Sequence, residues 1–74
     1  MPSLSKRERE IMDLLAQGLT GEQVAERLVL SSETVKTHIR NAMTKLEAHT
    51  RVHAIAIALR EGFIQPPARD GNSA

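Results

Sequence analysis

Apolar residues recur at helical spacing in four stretches of the chain, and nowhere do they alternate with polar ones as in a half-buried strand. The first stretch carries Ile11, Met12, Leu14 and Leu15. It opens at Ser5, with Glu8 placed to complete a capping box, and stops at Gly18, a residue without Cβ that adopts the left-handed closing conformation cheaply. Leu19 can then fold back on Leu14. The second stretch is capped by Thr20 with Gln23 as its box partner, is stapled by Leu19 and Val24, and turns Val24, Ala25 and Leu28 inward. At about two turns it is too short to persist alone and needs tertiary packing.

Val29, Leu30 and Ser31 make a tight connection to the third stretch, which Ser31 caps and Leu30 and Val35 can staple. Val35, Ile39, Ala42, Met43 and Leu46 then form the clearest amphipathic pattern of the chain. The fourth stretch begins near Thr50, runs through Val52 and from Ala54 to Leu59, and closes at Gly62 with Phe63 placed to pack back. The predicted architecture is all-α, with helices at 5–17, 21–28, 32–47 and 51–61 in one domain over 1–64. Residues 65–74 have no apolar period and two prolines, and are expected to form a disordered tail.

A short helix, a tight turn and a longer amphipathic helix form a helix-turn-helix arrangement. The second helix braces the third, so that the outer face of the third can enter a major groove. At about 100° per residue, that face carries Glu33, Thr37, Arg40, Asn41 and Thr44, with Lys36 on one flank and Thr34 and Lys45 on the other. It is a mixed hydrogen-bonding surface, unlike an ordinary ladder of glutamates and lysines. Arg40 can donate two bonds to guanine, Lys36 can reach a guanine or a phosphate, and Thr37 offers a methyl or a hydroxyl to a base edge. These three residues are the expected base contacts. Thr34, Asn41, Thr44 and Lys45 are the expected contacts to the DNA backbone. On spacing alone, a solvated face of a small helical bundle fits the pattern equally well.

Charge adds a little to this picture. The formal net charge is only +1, but residues 5–28 sum to −1 and residues 31–53 to +2, so the positive charge lies with the third helix. With 74 residues the core is small, and with no cysteine neither a disulfide nor a thiolate metal site can reinforce it. No signal peptide is visible, and the longest apolar run is far too short to span a membrane. The fourth helix is apolar nearly all round, more than so small a chain can cover. A strip of it, including Ile57 and flanked by His53 and Arg60, is expected to pack against a second copy; the alternative is that its small alanines are simply tolerated at the surface.

Particular motifs resemble the LuxR/GerE family. The run Leu4-Ser5-Lys6-Arg7-Glu8-Arg9-Glu10-Ile11 is similar to the family's opening, usually written L-T-P-R-E-R-E-V, and Gly21 to Leu28 resembles its bracing helix. Leu30-Ser31-Ser32-Glu33-Thr34-Val35-Lys36-Thr37-His38-Ile39 resembles its recognition helix, whose T-V-K-x-H core is highly characteristic. Ala54 to Gly62 resembles its last helix. The resemblance covers Leu4 to Ile64. It implies a bacterial transcription regulator that binds pseudo-palindromic double-stranded DNA as a dimer, reads bases at Lys36, Thr37 and Arg40, meets the backbone at Thr34 and pairs through the last helix. It further implies a cytoplasmic, nucleoid-associated protein with RNA polymerase as a partner, no membrane, no cofactor and no metal. It also implies that Glu8 pairs with a base across the core. Two positions depart from the family. Lys6 replaces a common proline, which is favoured there but not required. Glu47 stands where glycine is usual, so either Glu47 takes the left-handed conformation, at roughly 1 kcal/mol, or the third helix runs on towards His49.

Other classes fit less well. A sigma-factor region-4-like module usually ends with its recognition helix, whereas here a fourth helix follows. A protein-interaction module would carry an apolar groove on the third helix, where Thr37, Arg40 and Asn41 stand instead. His49 and His53 are spaced for zinc if the helix is continuous there, but no third ligand is evident. No nucleophile–base pair or phosphate-cradling glycine loop points to an enzyme.

Overall fold

The computed structural model describes residues 3–66, and helices are its only regular elements among them. They are α1 (Lys6–Ala16), α2 (Gly21–Leu28), α3 (Ser32–Leu46) and α4 (Arg51–Arg60). Each begins where the sequence supplies a cap. The Ser5 and Thr20 side chains accept the amides of Glu8 and Gln23, whose own side chains accept the cap amides in return. Ser31 and Thr50 accept the amides of Thr34 and His53. The helices are shorter than expected by one residue at some ends, because Ser5, Gln17, Glu47 and Glu61 are caps that lie just outside them. The expected tail falls largely on residues 67–74, outside the described part.

All four helices close in the same way. The amides of Gly18 and Leu19 bond to the carbonyls of Leu15 and Leu14, those of Val29 and Leu30 to Glu26 and Ala25, those of Glu47 and Ala48 to Thr44 and Met43, and those of Gly62 and Phe63 to Leu59 and Ala58. This is the Schellman closure, which needs a left-handed residue at its corner. Gly18 and Gly62 supply it freely at φ 101° and 80°. Val29 and Glu47 adopt it at φ 58° and 57° with a Cβ in place. The alternative left open at Glu47 is therefore settled: α3 stops at Leu46, and Glu47 takes the left-handed conformation.

The closures direct the chain so that α3 packs against each of the other three helices. Ile11 and Met12 of α1, Val24 of α2 and Val35 of α3 are fully buried at the centre. Leu15, Ala25, Ile39, Ala42, Ala54 and Ala58 complete the core, joined by Leu4 before α1 and Ile64 after α4. The Arg9 guanidinium lies 5.4 Å from the centre of the Phe63 ring, which ties the closing segment to α1.

One buried charge crosses the core. Glu8 is 4% exposed, and its Oε1 accepts the Lys45 ammonium and the Ser5 amide, each at 2.8 Å. Burial alone would push the Glu8 carboxyl up. The Lys45 hydrogen bond, the Ser5 amide, the lysine's charge and the Ser5 hydroxyl together hold it below its ordinary value. The resemblance implied a basic partner for Glu8, and the structure identifies it as Lys45.

Candidate nucleic-acid interface

The two faces of α3 divide as its pattern requires. Val35, Ile39 and Ala42 are buried, whereas Glu33, Thr34, Lys36, Thr37, Arg40, Asn41 and Thr44 are exposed. The three expected base-reading residues thus lie on one open face. Thr34, Asn41 and Thr44 are open as well.

Hydrogen bonds within α3 restrict what its hydroxyls can offer. The Thr37 hydroxyl donates to the Glu33 carbonyl at 3.1 Å, and the Thr44 hydroxyl donates to the Arg40 carbonyl at 3.0 Å. With the proton turned inward, each presents lone pairs and a methyl to an incoming ligand. Thr34 differs: its Oγ1 accepts from the Ser31 hydroxyl at 2.8 Å, so its own proton stays free. A phosphate oxygen only accepts, so Thr34 suits a phosphate and Thr37 suits a thymine methyl or a base amino group.

Lys45 has a partner within the fold. Its ammonium is engaged by Glu8, and its side chain is only 38% exposed. Residues 8 and 45 lie far apart in sequence, and periodicity within a helix carries no information about such a pairing.

On α4, Ala54 and Ala58 face the core. His53 and Arg60 are exposed, as their expected interface role requires. Ile57 is half-buried at the edge of a groove of about 210 Å³, which it lines with Lys45, Leu46, Arg60 and Phe63. The most outward large apolar residue of α4 is Val52, 76% exposed, with Ala56 exposed one turn on. The sequence does not single out Val52, because a helix apolar nearly all round does not show which of its sides is buried. His49 lies outside the helix, and its ring stacks on that of His53 with centroids 6.2 Å apart. Among the described residues no three potential metal ligands cluster.

This fold, with an open polar face on a braced third helix, defines a helix-turn-helix domain. The family model for bacterial regulatory proteins of the luxR family matches residues 2–58, and the chain belongs to that family. It is similar to the spore germination protein GerE of Bacillus subtilis, with 44% identity over 64 residues, covering 86% of each chain. The nitrate/nitrite response regulator NarP of Escherichia coli is 43% identical over 58 residues, 78% of this chain but only 27% of NarP. Against the transcriptional regulatory protein YxjL of Bacillus subtilis, 41% identical, the chain likewise spans only 28% of the relative. Among solved structures, the transcription factor GerE superposes with a TM-score of 0.81 at 37% identity, covering 84% of this chain and 92% of that one. The Vibrio cholerae VqmA–ligand–DNA complex superposes with a TM-score of 0.77 at 28% identity, covering 85% of this chain and 28% of that one.

Proposed function

We propose that this chain is the DNA-reading domain of a bacterial transcription regulator, with α3 lying in the major groove of double-stranded DNA. The observation that carries this reading is the outward face of α3, where Lys36, Thr37 and Arg40 are open while Val35, Ile39 and Ala42 are buried against the other helices. A major groove about 12 Å wide admits such a helix. Arg40 donates to a guanine edge, Lys36 to a guanine or a neighbouring acceptor, and Thr37 offers its methyl to thymine. Thr34, Asn41 and Thr44 lie along the backbone. Thr34 donates to a phosphate directly, while Thr44 must first turn its hydroxyl from the Arg40 carbonyl. Lys45 leaves the backbone set and serves the fold through Glu8. Support also comes from VqmA, a structural neighbour solved in a complex with DNA.

The domain works as a pair on DNA. The exposed apolar Val52 and Ala56, bordered by His53 and Arg60, form a strip that a second copy covers, with Ile57 at its margin. Two such domains present two copies of α3 to half-sites about one helical turn apart. The regulator reading brings RNA polymerase as a further partner, met where these half-sites adjoin a promoter. It places the chain with the bacterial nucleoid and asks for no catalytic step, cofactor or metal. No described helix is long and apolar enough to cross a membrane.

The test is selection from random duplexes with this chain. Enrichment of inverted half-sites about one turn apart is the expected result. Enrichment of single half-sites would overturn the pairing. No enrichment at low salt, with the chain shown to be folded, would overturn the DNA reading.

A further inference from the structure

Beside the reading face of α3 lies a cleft of about 180 Å³ lined by Thr20, Gly21, Glu22, Ser32, Lys36 and Arg51. Three helices contribute to it: Gly21 is the first residue of α2, Ser32 the first of α3 and Arg51 the first of α4. The Arg51 guanidinium is seated against Gly21: a β-carbon on that glycine would stand 3.7 and 3.8 Å from Nη1 and Nη2. Neither Arg51 nor Lys36 forms an ion pair with a carboxylate among the described residues. Glu22 is the one acid in the lining, so the cleft carries a net positive charge. Its hydroxyls can donate too. Thr20 Oγ1 accepts the Gln23 amide, which leaves its proton free, and Ser32 stands one turn before Lys36.

We propose that this cleft holds one phosphate of the DNA strand bordering the groove that α3 reads, and that Arg51 is its principal ligand. The proposal rests on the DNA reading given above and adds a DNA contact from α4, beyond its part in the core and in pairing. Lys36 belongs to both the cleft and the reading face, so an anion in the cleft lies alongside the duplex that α3 has entered. A guanidinium fork, an ammonium and two hydroxyls match the acceptor-only oxygens of a phosphodiester. Such a contact carries no sequence information itself but fixes how α3 sits in the groove.

The test uses the whole chain and a labelled duplex carrying the selected site, with affinity measured by anisotropy across a salt series. Wild-type binding with a steep salt dependence first establishes the DNA reading; its absence would overturn that reading and this one together. Arg51→Gln is then expected to weaken selected and unrelated duplexes alike, on the order of tenfold, and to flatten the logarithmic salt slope by about 0.9. Arg51→Lys should restore the slope, and Glu22→Gln should tighten binding to both duplexes. An unchanged slope in a folded Arg51→Gln chain, or a change of base preference without a change of slope, would overturn the proposal. Should Arg51→Gln fail to fold, the Arg51 Nε–H resonance of the wild-type chain decides. A shift on adding duplex supports the contact, and an unmoved resonance at saturation refutes it.

Discussion

Replacing Lys45 with methionine tests whether the α1–α3 charge pair holds the reading helix in place. The substitution removes the ammonium 2.8 Å from Glu8 Oε1 and leaves a carboxylate that is 4% exposed without its cation. Breaking a deeply buried pair costs about 3–5 kcal/mol, and losing one hydrogen bond to a charged group about 1.5–3 kcal/mol. Two features favour the lower range. The Lys45 side chain is 38% exposed, so solvent already screens the pair, and Glu8 keeps the Ser5 amide at 2.8 Å. A loss of about 2 kcal/mol follows, a large fraction of the ~4–11 kcal/mol typical of a chain this long. The melting temperature should fall by about 8–16 °C.

The assay is urea unfolding of wild type, Lys45→Met, Glu8→Gln and the double variant over a range of pH. Because the folded pKa of Glu8 lies below its ordinary 4.5, the pair's contribution is complete above that value and disappears as pH falls through the folded pKa. The gap between wild type and Lys45→Met should therefore be widest near neutrality and narrow in acid. The double variant should lose less than the sum of the singles. A loss below about 0.5 kcal/mol, or a gap unchanged with pH, would refute the reasoning. In the folded fraction of Lys45→Met the salt slope of DNA binding should match wild type, since this lysine serves the fold.

Three further outcomes are expected. Val29 is 89% exposed at φ 58°, so Val29→Gly relieves about 1–2 kcal/mol of left-handed strain against about 0.4–1 kcal/mol of added unfolded-state freedom, and should raise stability in urea titration, whereas Val29→Ala should not. Arg40→Ala should cost about 1–3 kcal/mol on the selected duplex and relax preference at one position; an unchanged selection profile would mean that the reading face is misassigned. Thr34→Val removes the free hydroxyl proton at nearly constant volume and should weaken all duplexes equally, which competition between selected and unrelated DNA would reveal.

Much of the fold was legible because its signals are local. Ser5, Thr20, Ser31 and Thr50 each cap the helix they were read to begin, and Gly18 and Gly62 close the helices they were read to end. The division of α3 into buried and open faces followed from periodicity. What escaped depends on contacts between elements. Lys45 looked like one more cation on a helix flank, since its distance from Glu8 can be known only once α1 and α3 are packed. Nothing local marks Arg51, because Gly21 and Lys36, which line the cleft with it, lie on other helices. The pattern places Ile57 against a second copy but does not show which side of α4 faces the core; with Ala54 and Ala58 buried, Ile57 is half-buried and Val52 and Ala56 are exposed. Val29 was missed for another reason. A left-handed corner is normally marked by glycine or asparagine, and valine gives no such mark.

The two strained corners stand at positions that matter for the reading helix. All four helices use one closure, yet glycine supplies the corner only at Gly18 and Gly62, whereas the turns into and out of α3 use Val29 and Glu47. Each strained corner has compensation immediately after it. Leu30 and Ala48, the next residues, donate their amides to Ala25 and Met43 at 2.9 Å, and both pack against the core. The hydrogen bond and the apolar contact work together to hold a conformation that valine or glutamate would otherwise leave. Packing thus fixes the two turns that aim α3, with no local preference to help it. The direction of the reading face is consequently tied to the integrity of the core beneath it: a substitution that loosens Leu30 or Ala48 would disturb DNA reading without touching a residue that meets DNA.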